Sequence, residues 1–328
     1  AQASALSAMH AEAHDNARFL TTLERHFKNI QEKDLVVMKE TLQPMMHALR
    51  MVWIISRHYN TDERMVPLME RIAHQIAEKV AHEIDVKHIL RRSPGEAMAV
   101  IKRAKEVLSG WYTTYMEVRD VLEASGTDRR WEFDRKRLFE QTNYMSRICD
   151  NLYEVAERLQ QFQRFLGPEL KAVTGENTGI DGVLKRVDAL RAPLEGASFD
   201  VFNRTYRSNW ESSMISFREQ VSEIEASSKQ FIDSSFRKLR SAEAAFDLLQ
   251  KFHRLDSSLQ GFMDKYDDIL QQYSKEMERA RAQFDGNKDN PPVYKNYPKV
   301  AGAIAWADSI YRKQKRPMVR FVKEERLK

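Results

Sequence analysis

Two histidines one helical turn apart are the first residues whose type and spacing could do chemistry. His10 and His14 stand four residues apart, a spacing that would let both rings bind one metal ion on the same helix face. The zinc-protease motif needs a glutamate directly after the first histidine, whereas Glu12 comes one place later. The sequence offers no evident third ligand, so the pattern favours ordinary surface histidines and predicts no metal site.

Other motifs for catalysis are weak or missing. Cys149, the single cysteine, falls in the middle of a helical pattern without an adjacent histidine, so we expect a packing residue and not a nucleophile. Residues 175–182 contain three glycines, but none is followed by the Lys-Ser or Lys-Thr pair of a phosphate-binding loop. The sequence therefore predicts no catalytic and no cofactor-binding residues, and no enzyme activity in this chain.

Aromatic and basic residues between positions 111 and 137 are candidates for a partner interface, with a core position as the commoner alternative for the aromatics. Tryptophan, tyrosine and arginine are enriched in such interfaces, although aromatics at helical spacing are also typical of a core. The candidate interface residues are Trp111, Tyr112, Tyr115, Trp131, Arg135, Lys136 and Arg137.

The elements that must position these residues are helices. The 328 residues include only 11 glycines and 9 prolines, and β-rich or doubly wound folds would need more of both for their turns. Hydrophobic residues make up 42% of the chain, which is enough for a core. We expect an all-α, soluble protein, built as an elongated rod of successive antiparallel helical bundles.

Helix signals recur along the whole chain. Ser93, Pro94 and Glu96 form a capping box that opens a helix. A heptad seam over residues 134–166 predicts one uninterrupted helix. Residues 199–284 contain no proline and are too many for one helix, so we expect a helical hairpin near residue 241 or 254–257. A last helix is predicted over 297–315. The seam residues are Leu138, Met145, Leu152, Leu159 and Leu166, with Ile148, Val155 and Phe162.

These patterns divide the chain into four segments. They are an N-terminal helical bundle (1–126), the heptad helix with a glycine-rich loop and a short helix (127–196), a long helical hairpin (197–286), and a joint with the final helix and a basic end (287–328). The joint begins with Asn290-Pro291-Pro292, because proline cannot continue a helix. Small residues after it would let two helices approach closely around Gly302, with Ile304 and Trp306 filling gaps.

The net charge of +5 comes from one end of the chain. Residues 312–328 hold eight basic and two acidic side chains, so the remaining body is close to neutral and unlike a nucleic-acid-binding surface. The longest hydrophobic runs, 51–55 and 300–307, are too short to cross a bilayer. The sequence opens inside a helical pattern without an initiator methionine, so we expect a piece of a longer protein.

Three blocks of the sequence carry a family resemblance. They are DNARFLTTLE at 15–24, ALRMVWIISRHYNTDERM at 48–65, and NPPVYKNYPKVAGAIAW at 290–306, followed by Arg316-Pro317-Met318. Together they resemble the N-terminal tail, or stem, of dynein heavy chains of the axonemal type, and the resemblance covers essentially the whole chain. Such heavy chains are far longer, so the motor ring, its ATP sites, the stalk and the microtubule-binding tip lie outside these residues.

The resemblance implies a scaffold function. Stems of this family join heavy chains, carry intermediate and light chains, and dock an ATP-driven, minus-end-directed motor on the doublet microtubule of a cilium or flagellum. The implied partners are those subunits and, indirectly, the microtubule, with no nucleic acid and no membrane. The implied location is the cytoplasm, cytoskeleton and axoneme. The alternative is a helical-rod membrane tether, which would lack the 290–306 block and would bind lipid or vesicle proteins.

Overall fold

The computed structural model describes residues 2–126, 131–165, 178–237, 239, 241–255, 262–292 and 297–325. Within these residues all regular structure is helical and no strand occurs, which confirms the all-α prediction. The helices are α1 (Gln2–Glu32), α2 (Leu35–Ile55), α3 (Asp62–Glu83), α4 (Val86–Ile89), α5 (Pro94–Ala124), α6 (Arg135–Phe165), α7 (Thr178–Ala189), α8 (Ala192–Glu195), α9 (Arg207–Arg237), α10 (Ala242–Leu255), α11 (Phe262–Asn287) and α12 (Lys299–Glu325), with a 3₁₀ turn at Arg204–Tyr206.

Contacts within the chain define two compact units. The first comprises Ala1–Gln161 and Asp188–Val221, and the second comprises Phe162–Val187 and Ser222–Lys328. The four-segment division drawn from the sequence remains a prediction.

The first unit is built around four long helices. Helix α2 packs against α1 and α5, and α3 packs against the same two neighbours. Helices α2 and α5 begin with side-chain caps, since Asp34 accepts the Val36 and Val37 N–H groups at 3.1 and 3.0 Å, and Ser93 accepts the Glu96 N–H at 3.4 Å. The capping box predicted for α5 is therefore confirmed at its serine.

Helix α6 carries the predicted heptad seam. It is one uninterrupted helix, and the seam residues from Leu138 to Phe162 are all buried. Leu166 lies outside the described residues. Within the first unit, Arg218 of α9 binds Glu154 of α6 through two parallel hydrogen bonds of 2.9 and 2.7 Å, a geometry that fixes both helices at that point.

The second unit has a smaller core between α10 and α11. Its buried residues are Ala242, Ala245, Phe246, Leu249, Tyr266 and Ile269. Glu276 of α11 accepts the Ala242 N–H at the start of α10 at 2.9 Å, and so caps a helix end that would otherwise lack a partner. Helix α12 joins α11 where the Tyr273 hydroxyl donates to the Gln314 carbonyl at 2.8 Å.

Several predicted helix boundaries were wrong. The 199–284 run opens with turns and the 3₁₀ turn instead of a helix. Its helices then end at Arg237 and at Leu255, close to both positions predicted for the hairpin. Gly179 and Gly182 belong to α7 and not to a loop. Helix α12 continues through Pro317 to Glu325, because a proline inside a helix removes one hydrogen bond without having to end it.

Candidate partner interface

The aromatic half of the predicted interface lies mainly in the interior of the first unit. Trp111, Tyr115 and Trp131 are at most 1% exposed, so they are unavailable to a partner of the folded unit, and their part of the interface prediction is corrected. Their burial follows from size, since large aromatic rings gain most from leaving water. Tyr112 stays 41% exposed and packs edge-on against Phe139 with ring centroids 5.0 Å apart.

The buried rings form one cluster that holds the start of α6 against α2 and α5. Trp131 lies 6.2 Å from Trp53 and 5.1 Å from Phe133 between ring centroids, both edge to face. The hydroxyl of Tyr115 accepts the Phe133 N–H at 3.1 Å. Burial raises the pKa of Tyr115 above its ordinary value, because a phenolate would lose its hydration there. The cluster is therefore a structural anchor for the segment before α6.

The charged half of the prediction lies at the surface. Arg135 contacts Glu132 at 3.1 Å, and Arg119 of α5 contacts the same carboxylate at 3.0 Å. Arg137 binds Glu70 of α3 through both its Nε and its Nη2, the latter at 2.8 Å. These pairs link α3, α5 and α6, so the two arginines serve the unit itself. Lys136 and Tyr112 are exposed, and their role in a partner interface remains a prediction.

An open groove of about 1190 Å³ runs beside Lys136 and Arg137. Its walls are α3, the first half of α6, and residues 200–207. Three of the four arginines that line the groove have carboxylate partners, since Arg137 pairs with Glu70, Arg204 pairs with Glu140, and Arg207 contacts Glu211 at 2.7 Å. The groove is therefore largely neutralised and does not resemble an anion-binding pocket.

Residues 200–206 form a wall of this groove that sequence reasoning missed. The segment was predicted as the start of a long helix, but its backbone turns because Asp200 and Asn203 accept N–H groups two residues ahead, each at 3.0 Å. The hydroxyl of Tyr144 then donates to the Val201 carbonyl at 2.8 Å and holds the turn against α6. Asp and Asn are the residues that favour such turns, and that signal was readable in the sequence.

The joint residues fall into two groups. Gly302 is buried, and Trp306 stacks on Phe284 of α11 with ring centroids 5.7 Å apart and planes 8° apart. Ile304, predicted to fill a gap, is instead 65% exposed, because it lies on the face of α12 opposite Trp306. Pro291 is half-buried and Pro292 exposed. Residues 293–296 of the block lie outside the described residues.

The remaining candidates for chemistry occupy ordinary positions. His10 and His14 are both exposed on α1. Among the described residues there is no group of three or more side chains able to hold a metal ion. Cys149 is fully buried in α6, and burial raises the pKa of its thiol to about 12. Residues 175–177 of the glycine-rich segment lie outside the described residues.

Fold and geometry together define an all-α bundle protein whose candidate site is an open surface and not an enclosed pocket. A family model described as dynein heavy chain, N-terminal region 1, matches residues 1–328. The chain belongs to this family, as the N-terminal region of an axonemal dynein heavy chain. The predicted resemblance is thereby confirmed over the whole chain.

Individual relatives agree with the family match. The dynein-1-alpha heavy chain of the flagellar inner arm I1 complex of Chlamydomonas reinhardtii is 46% identical over 98% of this chain, and human dynein axonemal heavy chain 10 is 40% identical over 95%. The dynein gamma chain of the flagellar outer arm of Chlamydomonas reinhardtii is 25% identical over 94%. The chain spans 6–7% of the length of these relatives.

The membrane-tethering alternative gains no support from these comparisons. In the part of the chain that the structure describes, none of the helices combines the length and the apolar character that crossing a bilayer requires.

Proposed function

We propose that this chain is a non-catalytic scaffold segment in the tail of an axonemal dynein heavy chain. It builds the stem that assembles heavy chains with intermediate and light chains and docks the motor for ciliary or flagellar beating. Its place of action is the axoneme, on the doublet microtubule. ATP is bound and hydrolysed in the motor ring of the parent chain, outside these residues.

The observation that carries this proposal is the match of the N-terminal-region family to all 328 residues. The geometry is in keeping with it. Long helix surfaces are available to subunits, since four helices have 31 residues each, namely α1, α5, α6 and α9. Side chains fill the interior of the first unit. Inter-helix ion pairs such as Lys39–Glu106 at 2.9 Å hold those surfaces in register without a cofactor.

The test disables the first unit inside the complete heavy chain. Leu152 is fully buried in the seam of α6, so Leu152→Asp places a carboxylate among apolar side chains and should lower the free energy of unfolding by about 3–5 kcal/mol. Tyr153→Asp on the same helix is the matched control, because Tyr153 is 39% exposed. The heavy chain with Leu152→Asp should lose its intermediate and light chains on purification while its motor ring keeps its ATPase activity.

A heavy chain that carries Leu152→Asp and still purifies with every subunit would contradict the scaffold proposal. Loss of subunits from the Tyr153→Asp control, whose core is intact, would instead mark the exposed face of α6 as a subunit-binding surface. Thermal melting of both variants separates a failure of folding from a failure of binding.

We further infer that the parent heavy chain belongs to an inner arm. The relative whose name places it in an inner arm is 46% identical, whereas relatives named for the outer arm are 25% and 22% identical over similar spans. A tag on the heavy chain should therefore appear at inner-arm positions in tomograms of axonemes. Density at outer-arm positions would contradict this assignment.

A further inference from the structure

Helix α12 contains a proline close to a point where a neighbouring helix holds it. The helix runs from Lys299 to Glu325 with Pro317 inside it. Proline has no N–H to donate to the carbonyl of Lys313, four residues earlier, and its ring crowds that carbonyl. Sharp bends in helices occur at prolines. Pro317, at the centre of the Arg316-Pro317-Met318 block, is therefore a position at which α12 can bend.

Pro317 lies on the face of α12 that is turned toward α11. It follows Trp306 by about three helical turns, and both side chains are buried. Trp306 stacks on Phe284 of α11 with ring centroids 5.7 Å apart. Because a proline ring crowds the carbonyl on its own side, the helix opens on that side and bends away from it. A bend at Pro317 therefore tilts residues 318–325 away from α11.

A tyrosine of α11 binds the backbone of α12 just before this proline. The hydroxyl of Tyr273 donates to the carbonyl of Gln314 at 2.8 Å. In a regular helix that carbonyl accepts the N–H of the residue four places later, which is Met318. The Gln314 carbonyl is thus the first whose helical hydrogen bond crosses Pro317. If α12 bends and the Met318 N–H moves away, the Tyr273 hydroxyl still supplies a donor to this carbonyl.

Tyr273 is itself anchored in the core of the second unit. Its ring is partly buried and packs against the cluster that includes Phe246 and Ile269. Burial raises the pKa of Tyr273 above its ordinary value, because a phenolate would lose its hydration there, so the group is a hydroxyl donor at neutral pH. The position of the donor is therefore fixed by α10 and α11 and does not depend on α12.

We propose that Pro317 is a hinge in α12 and that Tyr273 is the latch that sets the direction of residues 318–325. With the hydrogen bond in place, Gln314 is fixed on α11 and the turns past the proline start from a defined point. Without it, those turns sample several directions, while the helix before Pro317 stays held by the Trp306–Phe284 stack. All of these residues belong to the second unit, so the inference does not depend on the scaffold proposal.

Hydrogen–deuterium exchange of the complete heavy chain, read by mass spectrometry, tests the latch, since exchange reports local opening of a helix. Tyr273→Phe keeps the ring and removes the hydroxyl. The amides of residues 318–321 should then exchange about fivefold faster, as expected for the loss of one hydrogen bond. The amides of residues 303–312 should keep their rates. Tyr311→Phe is the matched control, because Tyr311 is 59% exposed, and it should change neither segment.

Replacing the proline tests whether it is the hinge. Pro317→Ala supplies the N–H that the Lys313 carbonyl lacks and favours a continuous helix. Residues 318–321 should then exchange more slowly than in the unchanged chain, and adding Tyr273→Phe should alter their rate by less than about twofold. The matched control is Pro67→Ala, because Pro67 also lies inside a helix, α3. It should leave the exchange of residues 318–321 unchanged.

Three results would overturn the inference. An unchanged or slower exchange of residues 318–321 in Tyr273→Phe would show that the hydroxyl does not restrain them. An equal acceleration of residues 303–312 would show that the hydrogen bond holds α12 as a whole, or the entire unit, and is not a latch on a hinge. A fivefold effect of Tyr273→Phe that persists together with Pro317→Ala would show that the proline is not the point of bending.

Discussion

At the scale of the residue, Tyr115 shows how a single hydroxyl holds the aromatic cluster together. Its ring is buried among Trp131, Phe133 and Phe139, and its oxygen is the acceptor for the Phe133 N–H. A buried N–H without a partner is costly, so this bond explains why a tyrosine and not a phenylalanine stands here. The residue carries both packing and hydrogen bonding for the segment that leads into α6.

Tyr115→Phe should therefore lower the free energy of unfolding by about 1–3 kcal/mol, because the Phe133 N–H is left buried and unpaired. Tyr112→Phe is the control three residues earlier on the same helix. Tyr112 is 41% exposed, and its change should cost less than about 0.5 kcal/mol. Urea unfolding of both variants measures the difference, and equal losses would show that the hydrogen bond contributes nothing.

The buried thiol of Cys149 should make the stability of the protein depend on pH in the alkaline range. Burial raises the pKa of its thiol from 9.0 to about 12, so between these values the unfolded chain has lost a proton that the folded chain keeps. Unfolding then releases a proton, and stability falls as pH rises, by at most about 1.4 kcal/mol per pH unit. Cys149→Ala removes the titrating group and should flatten the fall between pH 9 and 11. An unchanged slope would mean that the thiol ionises equally in both states.

At the scale of the element, two glycines with open space around them should respond in opposite ways to alanine. Gly126, after α5, has φ of +63°, whereas Gly182 lies within helix α7, and an added Cβ would meet no atom within 4 Å at either position. Gly126→Ala should therefore cost about 1 kcal/mol through backbone strain. Gly182→Ala should stabilise by up to about 1 kcal/mol through helix propensity.

Urea denaturation at constant protein concentration measures both changes. Equal shifts of the midpoint in the same direction would contradict the assignment of backbone conformation at one of the two glycines. Because neither alanine touches a neighbour, packing cannot account for a difference between them.

Much of the helical architecture was predictable because apolar spacing and capping are local signals. The seam of α6 and the serine cap of α5 required only neighbours in the sequence. The predicted end of the last helix before Pro317 was wrong, because Pro317 lies inside α12. Whether a helix tolerates such a proline depends on the packing around it. The prediction that Ile304 fills a gap between helices was wrong for a related reason. Its apolar type and spacing indicate a packing face, but only the neighbouring elements decide whether that face is covered.

The candidate interface remains a prediction, and the exposure of its residues was predictable only in part, for the same reason. Arg135, Lys136 and Arg137 were correctly placed at the surface, since charged side chains are rarely buried. Trp111, Tyr115 and Trp131 were candidates for the same interface, although their residue types are more often found in a core. Composition alone does not separate these two roles. The separation required the distances between α2, α5 and the segment before α6.

At the scale of the whole molecule, the proposed scaffold role predicts that this chain binds no ATP. Titration of the 328-residue chain with ATP and magnesium in a calorimeter should give only heats of dilution, because no phosphate-binding loop is present in its sequence. The complete heavy chain, which includes the motor, is the positive control. Saturable binding that disappears when glycines 175, 179 and 182 are replaced would contradict the prediction.

The burial of Cys149 also has a practical consequence for spectroscopy. Its sulphur is both inaccessible and held as the thiol, and no other cysteine occurs in the chain. Thiol-reactive dyes and spin labels react with exposed thiolates. They should therefore leave the folded segment unlabelled. A cysteine introduced at an exposed position, such as Met9 or Tyr311, would then take a label alone. Distances from pairs of such positions could be measured without first removing the native residue from the seam of α6.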